Sequence, residues 1–199
     1  LHTSIFPDGQ PHIKLPEECA GGKKVFISCR LASALDVMNL LLAADAINAG
    51  GGSIRELFIT YLLGARMDRR IDDKQPFTLK VVADLITSMQ CASVKIFDVH
   101  SNIATQLLPP GAINVRPLWE VAEVVRHHLG AVLVAPDAGA TKRVEEFSQH
   151  LRVPMVQCSK HRNPNTGNLS DFQVLDTATV KGKTCIITDD ICDGGRTFT

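Results

Sequence analysis

The sequence has no excess of charge of either sign. Its 21 Lys and Arg residues balance 21 Asp and Glu residues, for a formal net charge of zero. That balance excludes a general electrostatic attraction to nucleic acid or to a membrane surface. No apolar run reaches the ~18 residues that a membrane span requires; the longest candidate, residues 40–49, contains Asp45 and reads as the helix of a soluble protein. The opening residues do not read as a secretory signal. The six cysteines, at 19, 29, 91, 158, 185 and 192, include no C-x-x-C pair. No Cys/His pair has zinc-ligand spacing, so structural zinc is not expected. Buried, reduced cysteines in a cytoplasmic enzyme are expected instead. Repeats of fixed period and low-complexity tracts are also missing. Gly182-Lys183-Thr184 imitates the end of a Walker A loop, but Thr177 stands where the upstream glycine is required and a strand follows, which excludes it.

What the chain does contain is alternation. Residues 25–29, 57–63, 94–97, 131–134, 153–157 and 184–188 read as short apolar strands. Between them, residues 34–48, 78–90, 118–129 and 144–151 carry helical patterns. Gly50-Gly51-Gly52 closes the first helix, and Val81, Val82, Leu85, Ile86 and Met89 are expected on one face of the second. Strand–helix alternation predicts an α/β protein with mainly parallel sheets flanked by helices. Pro109-Pro110-Gly111 is the best internal boundary, giving two α/β units over 1–113 and 114–199. Both ends read as cut: the chain opens in a turn-rich segment and stops after a strand-turn where a helix is expected.

The densest chemistry lies at 185–197. An apolar strand runs into Asp189 and Asp190, followed by Asp193, Gly194, Gly195, Arg196 and Thr197. A Gly-rich turn after a strand directs backbone N–H groups into one concavity, which suits a phosphate. Carboxylates would repel that phosphate, so Asp189 and Asp190 must serve another part of the ligand. Sugar hydroxyls, which donate to carboxylates, fit, and the stretch reads as a site for a phosphorylated sugar. A second cluster, residues 135–143, follows a strand and opens a helix. Asp137 there is either a ligand for a metal or sugar hydroxyl or a helix cap, and Lys142 and Arg143 add positive charge. A third is Ser159-Lys160-His161-Arg162, ahead of the polar run 163–168; a long polar loop in a compact domain is more often functional than decorative.

The 185–197 stretch resembles the ribose-5-phosphate loop of phosphoribosyltransferases and phosphoribosyl pyrophosphate synthetases. Gly194 and Arg196 stand where Thr and Gly are usual. Pro136-Asp137-Ala138-Gly139, with Lys142-Arg143, is similar to the pyrophosphate-side loop of the synthetases. Three further segments agree in order: Phe6-Pro7-Asp8-Gly9-Gln10 with the adenine-contacting loop, Ala65-Arg66-Met67-Asp68 with the ATP-binding segment, and Asp98-Val99-His100 with a metal site. On these five motifs the chain resembles the ribose-phosphate pyrophosphokinase family over nearly its whole length.

The resemblance implies two tandem phosphoribosyltransferase-like domains. It implies transfer of the diphosphoryl group of Mg-ATP to the C1 hydroxyl of ribose 5-phosphate. Phe6, Asp8, Gly9, Gln10, Arg66, Met67 and Asp68 would contact ATP in the N-terminal domain. Asp98, His100 and Asp137 would hold Mg²⁺, and Lys160 and Arg162 would be the catalytic cations. Arg162, Asp189, Asp190, Asp193, Gly194, Gly195, Arg196 and Thr197 would bind ribose 5-phosphate in the C-terminal domain. A homo-oligomer, dimer or hexamer, is also implied. Asp8, Gln10 and Met67 depart from the usual Asn, Glu and Gln. The rivals are a phosphoribosyltransferase, which would need the 185–197 loop but not the ATP segments, and a non-catalytic synthetase-like subunit, which should have lost the catalytic cations or metal ligands.

Overall fold

A computed structural model describes residues 2–19, 21–162, 169–192 and 195; for 160–162 and 169–172 it describes the backbone alone. The chain forms two compact units, Leu1–Arg116 and Pro117–Thr199, so the division falls a few residues beyond the Pro-Pro-Gly turn.

Unit 1 opens with a hairpin of β1 (His2–Ile5) and β2 (Pro11–Lys14), antiparallel from His2↔Lys14 to Ile5↔Pro11. The turn-rich reading of the opening missed these strands because both are short and lack a run of β-branched residues. A parallel sheet follows in the order β3 (Lys24–Arg30), β4 (Ser53–Tyr61), β5 (Val94–Phe97) and β6 (Ile113–Val115). The connections carry α1 (Ala34–Ala49), α2 (Thr78–Ser88) and α3 (Ile103–Leu107). Consecutive strands are neighbours throughout, so right-handed crossovers place these helices on one face of the sheet.

Leu57 and Ile59 of β4, Ile96 of β5 and Leu79 and Ala83 of α2 are fully buried together. A bulge sets Val25 opposite Ile54 and Phe26 opposite Glu56, which keeps Ile54 on the same buried face as Leu57 although the two are three residues apart. α1 starts at a capping box: Ser33 Oγ accepts from Asp36 N at 3.2 Å, and Asp36 Oδ2 accepts from Ser33 N at 2.8 Å. α2 buries Leu79, Val82, Ala83 and Ile86, whereas Val81 and Leu85 are exposed. The helix has more apolar residues than one stripe holds, and contact with the sheet selects the 79/82/83/86 line.

Unit 2 contains α4 (Leu118–Arg126), β7 (Val132–Ala135), α5 (Ala138–Leu151), β8 (Met155–Arg162), β9 (Leu169–Val174), α6 (Thr177–Val180) and β10 (Cys185–Ile187). Its sheet order is β10-β7-β8-β9. β7 is buried along its whole length: Leu133 and Ala135 pack with Val121, Val144 and Phe147, while Val132 and Val134 pack with Val156 and Val180. β8 is parallel to β7 as far as Gln157, then pairs antiparallel with β9 from Cys158↔Val174 to Arg162↔Leu169. β9 was not foreseen, since polar Ser170, Asp171 and Gln173 mask its pattern. None of the six free cysteines is fully buried, contrary to expectation; Cys29 and Cys185 lie on the edge strands β3 and β10. The two units are α/β structures with mainly parallel sheets and flanking helices.

Candidate functional site

In unit 2 the second and first sequence clusters leave neighbouring strands. β10 and β7 pair in parallel with Ile187 opposite Val134, so residues 136–139 and 188–192 emerge side by side from the carboxyl end of the sheet. Ligands of open parallel sheets bind at that end. β8 delivers the third cluster there too: its last β7 partner is Gln157, so the backbone of Lys160 and Arg162 runs beyond the end of β7. The Lys160 and Arg162 side chains, and all of Asp193, Gly194, Arg196 and Thr197, lie outside the described residues. Gly195 has φ +72°, a left-handed conformation that glycine adopts without steric cost.

Asp137 is the N-cap of α5, the structural half of the alternative posed by the sequence. Its Oδ1 accepts from Ala140 N at 3.1 Å, satisfying a donor that the first helical turn leaves unpaired. Gly139 protects that bond, because a Cβ there would stand 3.2 Å from Asp137 Oδ1. Lys142 is exposed, as a cation facing a ligand or water would be. Arg143 is not: it is 6% exposed. Its Nη2 lies 3.3 Å from Asp189 Oδ1 and its Nη1 3.8 Å from Asp190 Oδ1. Asp190 N also donates to Asp189 Oδ1 at 3.0 Å. Burial, helped by the adjacent Asp190 carboxyl, pushes the Asp189 carboxyl up to about 6, with Arg143 opposing the rise. The result is a pair of acceptors for hydroxyl donors, anchored from below by a cation. Sequence reasoning missed this use of Arg143. The signal was present: Ala140, Val144 and Phe147 form a helical stripe, and Arg143 falls on it.

In unit 1 the predicted ATP and metal segments follow neighbouring strands. Residues 62–68 come after β4 and residues 98–100 after β5, whose Ile59 and Ile96 are paired. Gly64, at φ +80°, turns the chain, and Met67 N donates to Gly64 O at 2.8 Å. Leu79 N then donates to Met67 O at 3.3 Å, tying the segment to the start of α2. Arg66 and Met67 are exposed and Asp68 is half-buried. Asp98 takes an uncommon φ of +43°, with its N–H donating to Val115 O at 2.8 Å. Its Oδ1 is 3.1 Å from Arg116 Nη1. His100 is exposed.

The 6–10 segment belongs to the separate two-stranded ribbon, as its exposed hairpin loop. Gly9 N donates to Phe6 O at 2.8 Å, and Gly9 carries φ +88°. Asp8 and Gln10 are joined directly, Gln10 Nε2 to Asp8 Oδ2 at 2.9 Å. The Phe6 ring lies 5.5 Å from that of His12.

Among the described residues, no three His, Cys, Asp or Glu side chains gather as a metal cage. Asp137 Oδ1 is engaged in the cap bond above, and a carboxylate carries acceptor capacity on both of its oxygens. Among the described residues, no helix is long and apolar enough to cross a membrane.

Comparison with known proteins gives two family matches. Residues 1–89 match the N-terminal domain of ribose phosphate pyrophosphokinase, and residues 121–199 match the phosphoribosyl transferase domain. Ribose-phosphate pyrophosphokinase of Mycoplasma pneumoniae is 30% identical over 197 residues, covering 96% of this chain and 59% of the relative. Ribose-phosphate pyrophosphokinase 1 of Streptococcus mutans is 29% identical over 202 residues, covering 97% of this chain and 61% of the relative. The chain thus spans about three fifths of the length of these curated relatives. The crystal structure of phosphoribosylpyrophosphate synthetase from Mycobacterium smegmatis superposes with a TM-score of 0.81 at 24% identity, covering 99% of this chain and 64% of that one. At that identity the likeness speaks for the fold.

Proposed function

The chain belongs to the ribose-phosphate pyrophosphokinase family, and on that premise we propose that it is a ribose-phosphate diphosphokinase. The C1 hydroxyl of ribose 5-phosphate attacks the β-phosphorus of ATP, the bond from that phosphorus to the AMP oxygen breaks, and phosphoribosyl pyrophosphate and AMP form. The observation that carries this reading is the convergence at the carboxyl end of the unit 2 sheet. An acidic pair, a capped helix start and a strand bearing two cations all reach that end.

Each part has a chemical task. Asp189 and Asp190 accept hydrogen bonds from ribose hydroxyls, and Asp193 through Thr197 take the 5-phosphate with backbone N–H groups and the Thr197 hydroxyl. The start of α5, behind Asp137, presents N–H groups and the positive end of a helix dipole to the diphosphoryl group. Lys160 and Arg162 stabilise the charge that develops as that group transfers. In unit 1, Arg66 meets phosphate oxygens with its planar fork. Phe6, Asp8, Gly9, Gln10, Met67 and Asp68 contact the rest of ATP. In unit 1, Asp98 and His100 would ligate Mg²⁺, and in unit 2 Asp137 would do so; the ion would supply positive charge against the phosphates. The protein contributes positioning and electrostatics and forms no covalent bond to the substrate.

The test is to incubate the purified chain with ATP, ribose 5-phosphate and Mg²⁺ and to quantify AMP and phosphoribosyl pyrophosphate together. Equimolar products, both abolished by Lys160→Ala, are expected. AMP without phosphoribosyl pyrophosphate, or a folded chain that binds neither substrate, would refute the reading.

A further inference from the structure

We propose that Arg143 is a positioning residue for the ribose 5-phosphate site, bridging Asp189 and Asp190 from within α5 so that the sugar-binding carboxylates and the diphosphoryl-facing helix start form one rigid piece. The proposal rests on the function proposed above and adds a residue to it.

The position calls for an apolar side chain. Arg143 shares the buried stripe of α5 with Ala140, Val144 and Phe147. A buried ion pair is often no more stabilising than a well-packed apolar replacement, because desolvating the charges offsets their attraction. Stability alone therefore gives no reason for a guanidinium here. Its geometry gives one. The two terminal nitrogens reach two different carboxylates, at 3.3 Å and 3.8 Å, with the fixed spacing of a planar guanidinium, whereas a lysine would have to serve both from one mobile nitrogen.

Among the described residues, the charged groups acting on Asp189 are Asp190 of its own loop and Arg143 of α5. With the cation removed, two adjacent half-buried carboxyls would tend to share a proton. A shared proton removes an acceptor from the sugar site. The span also matters: Arg143 lies six residues past the Asp137 cap, about 9 Å along the helix axis. One short rigid strut thus fixes the sugar carboxylates relative to the N–H groups that face the diphosphoryl group.

The experiment measures ribose 5-phosphate and Mg-ATP affinities separately by calorimetry for the wild-type chain, Arg143→Lys and Arg143→Met. Carbon-13 titration of the Asp189 carboxyl accompanies each. Arg143→Met should weaken ribose 5-phosphate by roughly tenfold or more and Arg143→Lys by less, with Mg-ATP affinity unchanged, because the charge survives in lysine but the fork does not. The Asp189 midpoint should rise in both variants. If Arg143→Met does not fold, Arg143→Lys alone decides the matter. Equal weakening of both ligands, unchanged ribose 5-phosphate affinity, or an unmoved Asp189 midpoint would overturn the proposal and leave Arg143 a packing residue. A folded wild-type chain that binds no ribose 5-phosphate would instead refute the proposed function, and the positioning role with it.

Discussion

Gly64→Ala is a one-methyl change whose cost can be worked from the backbone. Gly64 has φ +80°, a region that costs an L-residue about 1–2 kcal/mol. A Cβ there would stand 3.1 Å from Thr78 Cγ2, 3.2 Å from Leu79 N and 3.3 Å from the Thr78 carbonyl carbon. Two of those neighbours are backbone at the start of α2 and cannot rotate away. Overpacking of this kind costs typically about 1–3 kcal/mol. The expected destabilisation is therefore about 2–5 kcal/mol.

The control is Gly9→Ala. Gly9 has a similar φ of +88°, but a Cβ there meets nothing within 4 Å, so only the conformational penalty applies. Urea unfolding followed by tyrosine emission isolates the unit concerned, since the chain's one tyrosine, Tyr61, lies in β4. Adding Thr78→Ser to Gly64→Ala should recover only part of the loss, because removing Cγ2 leaves both backbone contacts. Equal destabilisation by Gly64→Ala and Gly9→Ala would refute the steric argument. It would also remove the case that Gly64 fixes residues 65–68 against α2.

Two further perturbations test unit 2. Asp189 titrates near 6 instead of the ordinary 3.8, so the folded state binds the proton more tightly than the unfolded chain. Its contribution is therefore fully present below about pH 4 and is lost as pH rises through about 6. Asp189→Asn should flatten that segment of the stability–pH curve, and an unchanged curve would contradict the assignment. Phe147→Ala, at a side chain 1% exposed between α5 and β7, should cost about 3–5 kcal/mol in chemical denaturation. A loss below about 1 kcal/mol would mean that Phe147 does not hold α5 on the sheet.

Strand and helix order was legible along most of the chain because burial leaves a periodic trace. The run 94–97 became a strand with those bounds, and 78–90 became a helix starting at Thr78. The periodic pattern of α5 was legible only from residue 144, because Ala138, Gly139 and Ala140 carry little hydrophobic signal; the Asp137 cap, one of the two readings of that residue, sets the start at Ala138. The β8–β9 ribbon escaped because antiparallel pairing of a polar strand depends on its partner rather than on its own pattern. In unit 2, residues 137, 160 and 189 were legible as candidates because each cluster sits directly after an apolar strand. In unit 1, the Asp98–Arg116 pair was not foreseen, since its members are 18 positions apart and meet only when β5 and β6 are side by side.

The sequence alone determined the α/β class and marked residues 135–143, 159–162 and 185–197 as candidate clusters, since periodicity and local residue chemistry are properties of short windows. Only tertiary structure decided which clusters share a sheet end, because strand order is set by pairing between distant segments. The structure also decided that the 6–10 loop stands on its own ribbon. Above all, it decided where Arg143 points. In the sequence it was one more cation beside Lys142. Helical rotation turns Lys142 outward and Arg143 inward, and the pairing of β10 with β7 brings Asp189 and Asp190 to meet it.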